Sequence, residues 1–247
     1  MTEFFSRDWL ALREPFDAAA RSVPLARRFA AALPAQSRIL DLGAGTGSMM
    51  RWLRPIIGGA QSWVLADANA TLLEQARGPE VETAVLDLAA SLERLPLDAV
   101  DGVVCSALLD LVSEAWLQRL VRELRTPFLA CLSVDGDDLF APPHPLDTLV
   151  LHAFRLDQAR DKGFGPALGP RTSMVAQVAL SERGFGVWSE KSDWTIPASA
   201  TAMLSELVLG HACVSDNEEW RHDRQEQIGG EKLAIRIGHR DILALPA

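Results

Sequence analysis

Short apolar runs alternate with segments of helical periodicity through residues 38–134 of this 247-residue chain. The runs predict strands at about 38–42, 61–66, 81–86, 100–105 and 128–134. The intervening segments place apolar residues three or four positions apart, as in the helices that Asn69 and Ser113 can cap. Because strand–helix alternation builds parallel strands joined by right-handed crossovers, the pattern predicts an α/β fold with a doubly wound, mostly parallel sheet.

The pattern changes on both sides of this region. Residues 1–37 predict proline-punctuated helices, which we interpret as a helical cover over the carboxyl end of the first strand. The second half opens with a glycine- and proline-rich loop around Asp161, a candidate wall for a substrate. After this loop the sequence predicts a helix that Ser173 can cap, a strand at 185–195, helices at 199–214 and 218–237, and a last strand at 241–245.

A single domain accounts for residues 1–247, because we find no repeat, no low-complexity segment and no clear linker. Within it we expect a cofactor-binding core at 38–134, and a substrate-side insert with the last two strands at 135–247. The oligomeric state is not indicated.

Net charge, cysteine spacing and the length of the apolar runs indicate which binding partners and which cellular compartment to expect. The formal net charge is −9, which argues against nucleic acid as the main partner. Cys105, Cys131 and Cys213 are far apart without metal-ligand spacing, so we expect no metal site and interpret the first two as buried free thiols. Neither a signal-peptide core nor an apolar run of membrane-spanning length is visible. We therefore expect a cytoplasmic protein without a membrane partner.

A glycine turn directly follows the first predicted strand. It reads Gly43-Ala44-Gly45-Thr46-Gly47, and Asp41 stands just before it. Glycines at this spacing let the backbone approach a ligand where a side chain would clash. Asp67, Asp87 and Ser106 also fall at predicted strand ends, and the carboxyl ends of parallel strands meet at one edge of a sheet. The sequence therefore predicts a cofactor crevice at this edge.

The stretch from Ile39 to Gly47 resembles the first motif of the class I S-adenosylmethionine-dependent methyltransferases, and the resemblance covers roughly residues 36–134. It implies S-adenosyl-L-methionine as the cofactor and a Rossmann-like, three-layer sandwich. The implied sheet has seven strands, with the last strand antiparallel beside the fifth. It also implies methyl transfer, and our hypothesis is that the acceptor is a small molecule, either a metabolite or a biosynthetic intermediate. Cys105-Ser106-Ala107 stands where relatives that methylate exocyclic amines carry Asn-Pro-Pro-Tyr, which disfavours nucleic-acid acceptors.

The resemblance also implies roles for individual residues. It assigns the glycine turn to the methionine part of the cofactor and the acid ending the second strand to the ribose hydroxyls. The acid ending the third strand contacts the adenine amine, and the segment after the fourth strand lies beside the sulfonium. The residues at these places are Asp41, Gly43, Ala44, Gly45, Asp67, Ala68, Asp87, Leu88, Cys105 and Ser106. Arg13, on the cover helix, could meet the cofactor's carboxylate or could belong to a solvated helix face.

Candidates for a general base are less well defined. If the acceptor atom belongs to a hydroxyl or a thiol, a base assists by removing its proton. His144, Asp110 and Asp161 are the candidates, each set against an ordinary role at a helix end, in a local ion pair or at the surface. The acceptor atom is not indicated by the sequence.

Two other functions stay open at this point. A nicotinamide-dependent oxidoreductase could use the same fold, although its Gly-x-Gly-x-x-Gly fingerprint would need glycine where Ser48 stands. A non-catalytic protein could bind the cofactor as a sensor or a partner subunit.

Overall fold

The computed structural model of this protein describes residues 5–247. Its strands are β1 (Gln36–Leu42), β2 (Ala60–Asp67), β3 (Val81–Val85), β4 (Gly102–Ser106), β5 (Phe128–Val134), β6 (Leu139–Ala141), β7 (Gly186–Lys191), β8 (Trp194–Ile196), β9 (Ala234–Ile237) and β10 (His239–Leu245). Its helices are α1 (Arg7–Ala20), α2 (Val23–Ala31), α3 (Ser48–Ile57), α4 (Ala70–Leu73), α5 (Glu114–Glu123), α6 (Asp147–Gln158), α7 (Thr172–Glu182), α8 (Thr201–Ser215) and α9 (Glu218–Gly229). Within residues 5–247, no helix is long and apolar enough to cross a lipid bilayer.

A seven-stranded sheet forms the middle layer, in the order β3-β2-β1-β4-β5-β10-β7. The first five of these strands are parallel, and β10 is antiparallel to both of its neighbours. The doubly wound, mostly parallel sheet is therefore confirmed. The prediction of a last antiparallel strand beside the fifth is confirmed as well.

Both faces of the sheet are covered by helices, which is why its central strands are apolar throughout. One buried cluster joins the sheet to α2 and α3 through Phe29, Met49 and Leu53. The other joins the opposite face to α5 and α7 through Leu117 and Leu180. These two clusters give the predicted three-layer sandwich.

Helices α1 and α2 form the predicted cover, of which residues 1–4 lie outside the described part. The side chain of Ser6 caps α1, and that of Ser22 caps α2. Helix α1 lies directly on the glycine turn, because a Cβ added at Gly45 would stand 3.3 Å from a Leu10 methyl carbon. The cover therefore reaches the switch point between β1 and β4, where ligands bind in such sheets.

A small second sheet, in the order β6-β9-β8, was not predicted. The expected helix at 218–237 is wrong in its second half, because α9 ends at Gly229 and β9 follows. The expected strand at 185–195 is likewise two strands in different sheets. The break between them is at Ser192 and Asp193, which bond to His239 on the neighbouring strand. Ser173 does not cap α7, because the helix already begins at Thr172.

Candidate functional site

A cleft opens at the carboxyl edge of the sheet, between the glycine turn and α1. Ten of the predicted site residues line it: Arg13, Asp41, Gly43, Ala44, Gly45, Asp67, Ala68, Asp87, Leu88 and Ser106. These side chains come from the ends of four parallel strands and from the cover helix. The topology therefore brings together the residues that the sequence places at strand ends.

The glycine turn contains backbone conformations that residues with a Cβ atom rarely adopt. Gly43, Gly45 and Gly47 have φ values of 67°, 54° and 81°, in the left-handed region that suits glycine. A Cβ at Gly47 would also stand 2.8 Å from the Cβ of Ala76. The carbonyl of Ala66 accepts hydrogen bonds from the amides of Gly43 and Ala44 at 2.8 and 3.1 Å. The turn is thereby held against the end of β2.

Asp67 ties the end of β2 to the glycine turn. Its Oδ2 accepts from the Gly45 amide and its Oδ1 from the Asn69 amide, both at 2.8 Å. A carboxylate offers about four acceptor positions in all. Two of them therefore remain for a ligand in the cleft.

Asp87 and Leu88 form the far end of the cleft. Asp87 is exposed, and its Oδ1 accepts from the Ala89 amide at 2.9 Å. Leu88 is buried, and its carbonyl accepts from the indole Nε1 of Trp116 at 2.7 Å. This end of the cleft is thus half polar and half apolar, as a heteroaromatic base with hydrogen-bonding edges requires.

Asp41 forms part of the cleft wall and is 1% exposed. Neither of its carboxyl oxygens has a hydrogen-bond partner among the residues that the structure describes. Burial raises the pKa of this carboxyl to about 8, against the opposing effect of the nearby Arg21 charge, while Asp67 raises it further. A buried carboxyl without a partner is costly, so this residue favours a cationic hydrogen-bond donor as ligand.

Arg21 lies beside Asp41 and was missed by the sequence analysis. It does not itself line the cleft but contacts two residues that do, Ser48 and Ser106. It is 3% exposed. One terminal nitrogen donates to Ser48 Oγ at 3.2 Å and to Ser106 Oγ at 2.9 Å. The other two nitrogens, Nε and Nη1, have no partner within residues 5–247. The only sequence signal is the position of Arg21 at the break between α1 and α2, which turns its side chain towards the strand ends.

Arg13 lines the cleft but is already engaged. Its Nε and Nη2 donate to the carboxylate of Asp17 at 3.0 to 3.3 Å. Its guanidinium carbon lies 4.8 Å from the ring centre of Trp194. The indole nitrogen of Trp194 in turn donates to Asp17 at 3.1 Å. Arg13 is therefore fixed on α1 through Nε and Nη2, whereas Arg21 has two buried nitrogens without a partner within residues 5–247.

The segment that forms most of this cleft is similar to a known protein family. Residues 39–127 match a family model described as a methyltransferase domain. Residues 39–127 therefore carry a methyltransferase domain, and the sheet around them has a Rossmann-like topology. The sequence-based recognition of this family and of its Rossmann-like fold is thereby confirmed.

Individual relatives resemble this methyltransferase domain over different lengths. The biotin biosynthesis bifunctional protein BioCD of Bordetella avium (strain 197N) is 41% identical over 113 residues, which span 41% of this chain and 22% of that protein. A candidate type II methyltransferase from Anaeromyxobacter dehalogenans shares the fold with a TM-score of 0.55 at 18% identity, covering 93% of this chain and 99% of that one. Haemonchus contortus phosphoethanolamine N-methyltransferase 2 has a TM-score of 0.50 at 14% identity, covering 91% of this chain and 51% of that one.

Four of the predicted site residues do not line the cleft: Cys105, His144, Asp110 and Asp161. Cys105 is fully buried inside β4, and burial raises the pKa of its thiol well above the usual value. His144 does not line the cleft. Its ring Nε2 lies 3.0 Å from Oδ2 of Asp223, and its Nδ1 accepts a hydrogen bond from the Leu146 amide. The structure thus places Cys105 in the core and His144 at the start of α6, away from the cleft lining, so a role of either residue in the site stays a prediction.

The two remaining base candidates differ in position. Asp161 is exposed and folds its own loop, since its Oδ1 accepts from the amides of Gly163 and Gly165. Asp110 is half-buried beside the cleft residues Leu108 and Leu111. Its Oδ1 is sealed from solvent and accepts no hydrogen bond in the described part of the chain. Burial raises the pKa of this carboxyl to about 6.

Proposed function

We propose that this chain transfers the methyl group of S-adenosyl-L-methionine to a small-molecule acceptor. The observation that carries the proposal is that the Asp41 carboxyl and the Arg21 guanidinium are buried near each other beside the glycine turn, with hydrogen-bonding atoms that have no partner within residues 5–247. The α-amino acid end of the cofactor carries an ammonium and a carboxylate, which match these two groups. A structure of the same fold, that of the Haemonchus contortus enzyme, contains S-adenosyl-L-methionine.

Different residues of the site would bind different parts of the cofactor. Asp41 would accept from the ammonium, and Arg21 would donate to the carboxylate. Asp67 would accept from the ribose hydroxyls, since a carboxylate binds two neighbouring hydroxyls well. Asp87 and the Leu88 backbone would hold the adenine ring. We propose Arg21 rather than Arg13 as the partner of the carboxylate, because Nε and Nη2 of Arg13 already donate to Asp17.

The residues of the chain act mainly by positioning. The bound cofactor supplies an activated methyl group, and the transfer is an in-line displacement that depends on distance and alignment. Ser106 and Ala107 lie on the wall after β4, where the resemblance places the sulfonium. Leu108, Leu111 and Phe164 continue that wall with apolar surface, which keeps water from the reacting atoms.

A small acceptor fits the enclosure of the cleft. Leu10 on one side and Phe164 on the other line it, so α1 and the loop at 161–167 both border its opening. The net charge of −9 also disfavours a polyanionic acceptor. The acceptor is therefore proposed to be a metabolite or a biosynthetic intermediate.

Asp67→Ala tests the cofactor assignment. We expect calorimetry to show that S-adenosylhomocysteine binds the wild type, and that the variant loses about 1.5–3 kcal/mol of binding free energy, the scale of charged hydrogen bonds. No binding to the wild type, or equal binding to the variant, would remove the proposal. Fluorescence titration with NADH tests the oxidoreductase alternative. Formation of a methylated product with extract of the native host would exclude the non-catalytic alternative.

Asp110 is proposed as the general base for an acceptor with a hydroxyl or a thiol. Its carboxylate form predominates above a pKa of about 6, so we expect kcat at saturating cofactor to rise with pH through this value and then to level off. Asp110→Asn should lower kcat by about 10²- to 10⁴-fold and remove the inflection. An inflection that persists in the variant belongs to another group, and Asp110 would then be excluded.

A further inference from the structure

Trp116 stands between the adenine end of the cleft and the loop at 161–167. Its indole Nε1 donates to the carbonyl of Leu88 at 2.7 Å. Its ring also meets the ring of Phe164 edge to face, with 5.4 Å between centroids and an interplanar angle of 84°. Trp116 itself is 3% exposed, whereas Leu88 and Phe164 both line the cleft. A single buried ring thus contacts two separate walls of the cleft.

The loop is fastened at the start of α5, the helix that carries Trp116. The side chain of Ser113 caps this helix by accepting from the Trp116 amide at 3.3 Å. Ser113 also forms a β-bridge with Ala167. The Leu168 amide donates to the carbonyl of Val112 at 2.9 Å. The loop and the start of α5 therefore form one connected unit.

Two hydrogen bonds within the loop stabilise its folded conformation, and hydrogen exchange can measure their opening. Asp161 Oδ1 accepts from the Gly163 amide at 2.7 Å and from the Gly165 amide at 2.9 Å. Both glycines have positive φ values, 105° and 88°. Local unfolding of the loop breaks these two hydrogen bonds, so exchange of the two amide hydrogens reports how often the loop leaves the folded conformation that borders the cleft.

We propose that Trp116 is a positioning residue that couples occupancy of the adenine end of the cleft to closure of the loop carrying Phe164. The inference rests on the proposed function, because it takes the adenine of the cofactor as the ligand at Leu88. A ligand packed on Leu88 restricts the backbone that holds the indole, and the indole restricts Phe164. The cofactor therefore orders the acceptor-side wall before the acceptor enters.

Hydrogen exchange on the full chain tests this coupling. At saturating S-adenosylhomocysteine we expect exchange at Gly163 and Gly165 to slow by about 10-fold in the wild type. Trp116→Phe keeps a ring next to Phe164 but removes the donor to Leu88, so the slowing should be lost although the ligand is still bound. Trp188→Phe is the matched control, because Trp188 lies on β7 and does not line the cleft. It should behave as the wild type.

Ligand selectivity separates positioning from a general effect on folding. S-inosyl-L-homocysteine differs from S-adenosylhomocysteine only at the base edge, where an oxygen replaces the amine and N1 carries a hydrogen. Trp116→Phe should reduce the preference for the adenosyl ligand by about 3- to 10-fold, the effect of one orienting hydrogen bond. Phe164→Leu should lose the slowing of exchange and keep the preference, because the bond from Trp116 to Leu88 remains.

The outcomes distinguish this inference from the proposed function. If S-adenosylhomocysteine does not bind the wild type, both fail. If it binds while Gly163 and Gly165 exchange at the rate of the free protein, only the coupling fails. Unchanged slowing in Trp116→Phe, or an unchanged preference between the two ligands, also overturns it. If Trp116→Phe does not fold, Phe164→Leu decides, because slowing that survives in that variant contradicts the coupling.

Discussion

Binding of S-adenosylhomocysteine should release close to one proton near pH 6.5, because Asp41 must ionise to receive the ligand's ammonium. In the free protein its pKa is about 8, so the carboxyl is mostly protonated at that pH. The ligand's α-ammonium stands beside its own carboxylate, so its pKa lies above the value of about 7.7–8.0 of a peptide α-amino group, and it carries its proton there. When the Asp41 carboxylate pairs with the ligand's ammonium, the proton of the carboxyl is released to solvent. The affinity for the ligand should therefore rise by about 10-fold per pH unit up to about pH 7.5.

The sign of this linkage should reverse at higher pH. At a pH above the pKa of the free ligand's ammonium, the carboxyl is already ionised while the ligand has lost its proton, so binding takes a proton up and affinity falls. Calorimetry in two buffers of different ionisation enthalpy, at about pH 6.5 and at a pH above the pKa of the ammonium, measures both signs. In Asp41→Asn the release at low pH should vanish. Binding without proton release in the wild type, or release that persists in the variant, would show that the ammonium does not pair with Asp41.

The sequence predicts this cleft well because its parts follow from local rules. Asp41, Asp67 and Asp87 each follow a short apolar run, and parallel strands bring such residues to one edge whatever the loops do. The positive φ values of the glycine turn are likewise properties of a few consecutive residues. The wall from Ser106 to Leu111 follows from the position of β4.

What the sequence does not predict depends on contacts between distant elements. Arg21 resembles any helical arginine until the break at Ser22 points it at Ser48 and Ser106. His144 is near the exit of β5 in sequence, but its partner Asp223 lies on α9. Strand β9 is recognisable only through its pairing with β6 and β8. The division of the chain into core and substrate-side insert stays a prediction.

Arg21→Met should cause a larger loss of affinity than any other single change in the cleft. It removes the donors proposed for the cofactor's carboxylate and leaves that carboxylate facing a buried wall. Breaking a buried charge pair in this way costs about 3–5 kcal/mol, so S-adenosylhomocysteine should bind at least about 100-fold more weakly. Arg27→Met is the matched control, because Arg27 is exposed on α2 and does not line the cleft. Its loss should change the affinity by less than about 5-fold.

A second ligand shows whether the effect belongs to the carboxylate. 5′-Methylthioadenosine keeps the adenine, the ribose and the sulfur but lacks the amino acid end. Its affinity should therefore be the same for Arg21→Met and the wild type, whereas Asp67→Ala should weaken both ligands. If Arg21→Met weakens 5′-methylthioadenosine as strongly as S-adenosylhomocysteine, Arg21 supports the cleft only through Ser48 and Ser106. The cofactor's carboxylate must then bind elsewhere, and the Asp41–Arg21 pair no longer identifies the ligand.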